Sequence, residues 1–489
     1  MGIFDRFHTT APSNTNGGKP DTSVQDATRL IDEGHALEAE GKLDEAMQRY
    51  LEAIRLAPNP ARGHLNRGNV LLLQGDLNGA LDAFRTALEH KPDYAGAYYN
   101  IGNALLNDGK TDEAAASYRR ALDIQPDYAE VLCSLGVALK ELGQFEGVER
   151  CFRKAMEINP GLVEAHLNLA SYLLSQGRYK EAWPEYEVRY DSNYSGRQSI
   201  PPNLSFPKWQ GQPLVGKSIV IWPEQGFGDE IQFARYISVL KTYGTSRITL
   251  VCKAPLKALL KTLVGVDSVI IISEISSLPY HDYWIFPMSL PMYFDTTVET
   301  IPAKLPYLYV LPERQNLWSS RLPASGLKVG LVWKGSPEHK NDTNRSLPGL
   351  STLAPLWSVP GVTFVSLQKG PGEEQAAHLP AGQPIIDMGS AIQDFADTAA
   401  IVVQLDLVIC IDTAIAHLTG ALNKPCWVLL PASGTDWRWL LDRTDSPWYP
   451  NAVRLFRQKK PGEWSATIDD IAQNLDSWTA ANSDQTQAR

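Results

Sequence analysis

The chain has 489 residues, 44% hydrophobic and 20% charged, with a formal net charge of -10. That length suits about three domains of ordinary size, and the composition is that of a globular protein with more than one core. The negative charge argues against nucleic acid or an anionic membrane as the main partner, since either favours a basic face. Residues 1–22 and 479–489 are rich in small polar residues and are expected to be disordered. The N-terminus lacks the apolar core of a signal peptide, and no apolar run approaches the roughly 20 residues of a membrane span. A soluble cytoplasmic chain with no transmembrane segment is expected. The five cysteines form no CxxC pair, which excludes a disulfide framework or a structural zinc site as the organising device. Cys410 and Cys426 sit in apolar runs and read as core residues.

From residue 23 to 194 the chain repeats. Pro58, Pro92, Pro126 and Pro160 recur every 34 residues. In register with them come Gly34, Gly68, Gly102 and Gly136, the aromatics Tyr50, Phe84, Tyr118 and Phe152, and Ala53, Ala87, Ala121 and Ala155. This pattern resembles the tetratricopeptide repeat (TPR), with about five units. Small residues let two antiparallel helices approach, the aromatic is expected to fill the gap to the next repeat, and proline ends the second helix. The fifth unit departs, with Pro184 inside its second helix and Arg189 where a small residue belongs, so it is expected to cap the array. Asn66, Asn69, Asn100, Asn103 and Asn168 fall on first helices. They either line a concave groove for a protein or peptide partner or are solvated polar positions.

From about 205 the period vanishes and short apolar runs alternate with helical patterns. Strands are expected at 217–222, 247–252, 268–272 and 282–286, then at 328–333, 362–367, 384–388, 407–411 and 426–430. Strands that are apolar throughout and separated by helices imply parallel sheets. Two series imply two Rossmann-like domains, 205–312 and 313–478, with the ligand in the cleft between them, at strand C-terminal ends. The fold class is thus an α-solenoid followed by an α/β pair.

Three blocks carry a further resemblance: "EQGFGDEIQFARY" (224–236), "VGLVWKGSPEHKNDTNRSLPGL" (329–350), and "DFADTAAIVVQLDLVICIDTAIAHLTGALNKPCWVLLP" (394–431), continuing into "DWRWLLDRTDSPWYPNAVRLFRQ". They resemble TPR-linked bacterial glycosyltransferase-like proteins, whose C-terminal half is similar to glycosyltransferase family 9, the ADP-heptose:lipopolysaccharide heptosyltransferases. The resemblance implies a GT-B fold and an inverting transfer from a nucleoside-diphosphate sugar. It implies no divalent metal and no other cofactor, and no Asp-x-Asp triplet occurs in the chain. The acceptor, a protein or glycan, is then recruited by the TPR groove. The alternative is a non-catalytic TPR scaffold with a degenerate glycosyltransferase-like domain.

Sugar transfer requires a base for the acceptor hydroxyl and stabilisation of the departing diphosphate. Without a metal, the second task falls to Lys, Arg and backbone N–H groups at a helix start. Asp412, Thr413 and His417 match the family's Asp-Thr-x-x-x-His block, which the resemblance assigns to the donor diphosphate and sugar. The plainer alternative is that Asp412 or Thr413 caps the helix and His417 packs on it. Lys334, directly after a strand, and Arg345 are candidate phosphate ligands. Asp229 matches the Gly-Asp pair where the heptosyltransferases place a catalytic carboxylate. Glu224 and Glu230 are rivals, and an N-cap role for Asp229 is chemically complete without catalysis. Gly226 and Gly228 form the turn of a possible anion corner. Trp437, Trp439 and the segment 445–450 either stack on a ligand or pack an interface.

Overall fold

The computed structural model describes residues 22–192, 194, 196–197, 199–378 and 385–486; residues 1–21 and 487–489, where composition points to disorder, lie outside the described residues. The chain divides into two compact units, one of Met1–Leu169 with Asn193–Gly196, the other of Ala170–Ser192 with Arg197–Arg489.

The first unit is a helical TPR solenoid built from the pairs α1 (Thr22–Ala39) and α2 (Leu43–Leu56), α3 (Ala61–Leu73) and α4 (Leu77–His90), α5 (Ala95–Asn107) and α6 (Thr111–Ile124), and α7 (Ala129–Glu141) and α8 (Val148–Ile158). Each second helix stops two residues before its proline, which has no N–H to continue the ladder. The turn inside each pair uses a glycine at positive φ: Gly41 at 75°, Gly75 at 84°, Gly109 at 77° and Gly143 at 68°.

The aromatic of each repeat sharpens the sequence expectation. It lies on the glycine of its own first helix, and Tyr118 also bonds Ser134 of the next repeat. A Cβ on Gly34, Gly68 or Gly102 meets the ring of Tyr50, Phe84 or Tyr118 at 2.4 Å, and one on Gly136 meets Phe152 at 2.6 Å. The helix pair is close because that position carries no side chain. Of the five asparagines, Asn66, Asn100 and Asn103 are buried, and Asn69 and Asn168 are partly exposed. Asn100 Nδ2 donates to Asn69 Oδ1 at 2.8 Å, joining consecutive repeats, and Tyr118 Oη donates to Asn103 Oδ1 at 2.8 Å.

The division between units falls inside α9 (Val163–Ser175), ahead of the boundary at 194 read from the sequence. The next helix, α10 (Tyr179–Tyr186), is short, contains Pro184 and runs into a 3-10 turn, Glu187–Tyr190. Its buried face belongs to the second unit. Trp183 Nε1 donates to Thr296 O at 2.8 Å, and Tyr179 Oη accepts from Trp448 Nε1 at 3.0 Å. Arg189 Nε donates to Glu224 Oε1 at 2.9 Å, which accounts for a large residue where the repeat wants a small one.

The second unit holds two parallel sheets flanked by helices. The first contains β1 (Ser218–Ile221), β2 (Arg247–Cys252), β3 (Ser268–Ile271) and β4 (Tyr283–Ile285) in the order β3-β2-β1-β4. The second contains β5 (Leu327–Val332), β6 (Val362–Ser366), β7 (Ile385–Asp387), β8 (Leu407–Ile411), β9 (Cys426–Leu430) and β10 (Val453–Arg457) in the order β10-β9-β8-β5-β6-β7. β10 is a strand the sequence reading did not pick out. The helices of this unit are α11 (Phe227–Phe233), α12 (Tyr236–Thr242), α13 (Lys257–Leu260), α14 (Leu290–Tyr293), α15 (Pro312–Ser319), α16 (Asp342–Arg345), α17 (Glu373–Ala377), α18 (Phe395–Val402), α19 (Ala414–Ala421) and α20 (Ser465–Thr486). Against the expectation of a disordered tail from 479, α20 continues to Thr486; Trp464, just before it, and Ile468, Ile471 and Leu475 within it seat it in the core of the second sheet. No helix among the described residues is long and apolar enough to cross a membrane.

Candidate functional site

Strand order locates the site. In the second sheet the chain leaves β5 toward β6 and β7, then returns to β8 on the other side of β5. The loops after β5 and β8 therefore diverge and leave a crevice at the strand C-terminal ends. The first sheet reverses in the same way between β1 and β4. The loops after β1, β5 and β8 all open onto one cleft of about 1320 Å³, above the roughly 300–1,000 Å³ typical of small-ligand pockets. Gly226, Gly228 and Asp229 line it from the first-sheet side, and Lys334, Arg345, Asp412, Thr413 and His417 from the second. These eight residues are brought to one place, whereas Glu230, Trp437, Trp439 and the segment 445–450 do not line the cleft.

Lys334 follows β5 after Trp333. Its backbone is held by the buried Gln368, whose Oε1 accepts from Trp333 N–H at 2.9 Å and Lys334 N–H at 3.0 Å, while Nε2 donates to Lys334 O at 3.1 Å and Pro371 O at 2.8 Å. No acceptor bonds the Lys334 ammonium among the described residues. Arg345, at the end of the one-turn α16, donates from Nη1 to Asp412 O at 3.0 Å and from Nε to Asp342 Oδ1 at 3.2 Å. It ties the loop after β5 to the end of β8.

After β8, Thr413 caps α19: its hydroxyl accepts from Ile415 N–H at 3.3 Å. Burial and the neighbouring Asp436 push the Asp412 carboxyl up to about 7. Burial, with Arg438 and Arg235 nearby, pushes the His417 imidazole down to about 3, so the ring is neutral at pH 7. His417 Nδ1 bonds the Tyr449 hydroxyl at 2.9 Å, and the ring stacks on Trp439 with centroids 5.3 Å apart. It also presses on the opposite wall: a Cβ on Gly228 meets His417 Cδ2 at 2.8 Å. Gly228 is thus a close-approach glycine, needed for contact between the two sheets' layers rather than for a left-handed turn.

Asp229 sits in the first turn of α11. Its Oδ2 accepts from Gly226 N–H at 2.8 Å, and its Oδ1 is ion-paired with Arg438 from the turn after β9. The carboxylate both caps its own helix and reaches across the cleft. The rival carboxylates are committed elsewhere. Glu224 accepts from Arg189 at 2.9 Å and from the Tyr190 hydroxyl at 2.8 Å. Glu230 is buried beside Lys253, and burial pushes its carboxyl up to about 7.

The tryptophans do not face a ligand. Trp437, Trp439 and Trp448 are buried, and Trp437 packs edge-on against Trp183 at 5.7 Å. Between the two Trp residues of the Trp-Arg-Trp turn, Arg438 is the residue that reaches the cleft. The only signal available was a cation shortly after a strand end. Arg235 joins the layers behind the cleft: its Nη1 donates to Trp448 O at 2.6 Å, and the guanidinium lies 4.7 Å from the Tyr449 ring.

Comparison with known proteins supports the repeat assignment, and one relative aligns beyond it. TPR family models match residues 34–75, 74–129, 129–162 and 151–183. Protein FlbA of Caulobacter vibrioides is 31% identical over 339 residues, covering 64% of this chain and 55% of FlbA, so the chain spans about half the length of that curated relative. Among solved structures, a thermophilic TPR protein of Thermus thermophilus is 23% identical, covering 33% of this chain and 88% of its own, with a TM-score of 0.30. PilF of Pseudomonas aeruginosa is 17% identical, covering 34% and 78%, with a TM-score of 0.33. Scores this low add nothing to the helix pairing described above.

Proposed function

We propose that the α/β unit is a GT-B glycosyltransferase of the family 9 kind. In this reading it moves a sugar from a nucleoside-diphosphate sugar to a protein or glycan acceptor recruited by the TPR array. Asp229 acts as base, and Lys334, Arg345 and the Asp412–Thr413 turn hold the donor diphosphate. The observation that carries the reading is the meeting, in one cleft, of an unpaired Lys334 and the start of α19 on one wall with a carboxylate, Asp229, on the other. The unpaired ammonium and the N-terminus of a helix suit a diphosphate without a metal ion. The carboxylate across from them suits removal of the acceptor proton. With its carboxyl raised to about 7, Asp412 carries less negative charge against the diphosphate than an ordinary aspartate.

A second reading, a TPR scaffold with an inactive α/β unit, is favoured by one observation: both oxygens of Asp229 are already bonded. Thermal shift of the full chain against a panel of nucleotide sugars separates the two, since a true donor stabilises by mass action. The enzyme reading expects a shift that Lys334→Ala abolishes, and sugar transfer or hydrolysis that Asp229→Ala abolishes. The absence of any shift across the panel leaves the scaffold.

A further inference from the structure

Arg438 is buried yet incompletely partnered. Its side chain is 6% exposed. Nη1 donates to Asp436 Oδ2 at 2.8 Å, and Nη2 is paired with Asp229. Nε–H is buried and has no hydrogen-bond partner among the described residues. An unused donor on a buried cation is costly, so a position that keeps one calls for an acceptor that arrives later. Nε–H and Nη2–H form the side edge of the guanidinium, which matches two oxygens of a phosphate or carboxylate. Asp229 engages only the Nη2 half of that edge. Asp436 lies two residues away on the same turn and its Oδ1 also accepts from Arg438 N–H at 2.9 Å, so it is a fixed partner. Asp229 comes from the other wall of the cleft and is the exchangeable one.

We propose that Arg438 is a phosphate ligand of the donor site that the free chain keeps occupied with its own base. An entering diphosphate takes the Nε–Nη2 edge, and Asp229 Oδ1 is released toward the acceptor. This rests on the glycosyltransferase reading and deepens it. It removes the objection that both Asp229 oxygens are engaged, because that engagement is the state before donor binding. It also orders the reaction: the acceptor meets a free carboxylate only after the diphosphate is in place, so the empty site holds its base in check.

The test is calorimetric titration of the full chain with inorganic pyrophosphate and with UDP, GDP and ADP, for the wild type, Asp229→Asn, Arg438→Gln and the double variant. Asp229→Asn is expected to bind pyrophosphate about tenfold more tightly, because close charge pairs couple by at least that much. Arg438→Gln is expected to bind more weakly by a similar factor, and the double variant to lose the gain. If Asp229→Asn leaves the affinity unchanged, or if its gain persists without Arg438, the exchange does not occur and only the general charge of the cleft has been altered. Should Arg438→Gln fail to fold, Arg438→Lys takes its place, keeping the charge but not the paired edge. If the wild type binds neither pyrophosphate nor any of the three nucleotides, the donor reading falls and this one with it. Binding that needs Lys334 but is indifferent to Asp229 and Arg438 overturns only the exchange.

Discussion

The repeat array and the cleft both depend on glycines beneath rings, and they differ in how far apart in the chain the partners lie. Gly102 is covered by Tyr118 of its own repeat, and that tyrosine bonds Asn103 across a separation of 15 residues. Gly228 is covered by His417, and the neighbouring Asp229 reaches Arg438 across 209 residues. In the array the same local contact is copied from repeat to repeat, so each copy reinforces the pattern. In the cleft every contact is made once, between loops that meet only when two sheets have formed. The same chemistry, a missing Cβ under an aromatic or imidazole ring, is therefore periodic in one region and non-periodic in the other.

The largest effect expected from breaking this comparison is on turnover. Asp229→Ala is predicted to lower sugar transfer by about 10²–10⁴-fold, the usual contribution of a general base, and to leave denaturation of the repeat array unchanged. A parallel loss of array stability in urea titrations counts against a purely chemical role. Next come the two close-contact glycines. Gly102→Ala and Gly228→Ala each force a methyl into a ring and are each expected to cost about 1–3 kcal/mol. The first is expected to weaken only the solenoid, as read from chemical denaturation. The second is expected to separate His417 from α11 and to change nucleotide affinity as well. Equal effects of both on nucleotide binding contradict that separation of array from cleft.

A further effect concerns pH. Asp412 is raised from 3.8 to about 7 in the folded chain. Below its ordinary value both states are protonated and the group is neutral to stability. Between there and about 7 only the unfolded chain ionises, so the fold loses stability as pH rises through that window. Asp412→Asn removes the loss: its Tm relative to wild type is expected to rise between about pH 4 and pH 7 and to level off above. A flat difference across that range speaks against a neutral Asp412. The smallest change is expected at the turn glycines. Gly75→Ala, at a φ of 84° with nothing within 4 Å, is predicted to cost about 1 kcal/mol through backbone strain alone, measurable as a shift in the urea midpoint.

The repeat period, the parallel sheets and the gathering of Asp229, Lys334, Arg345, Asp412, Thr413 and His417 were legible in the sequence by itself. The first two rest on local signals, a 34-residue period and apolar runs of strand length; the choice of site residues rests on the motif blocks that resemble glycosyltransferase family 9. The β10 run was not legible because its strand character depends on β9 beside it, and the end of α20 was hidden by polar composition. Tertiary structure alone decided what the side chains do. It turned the repeat aromatics back onto their own glycines, buried the tryptophans after β9, withdrew Glu224 behind Arg189, and set Arg438 on Asp229. Pairing between groups some two hundred residues apart is fixed by how two sheets face each other, and no local propensity encodes that.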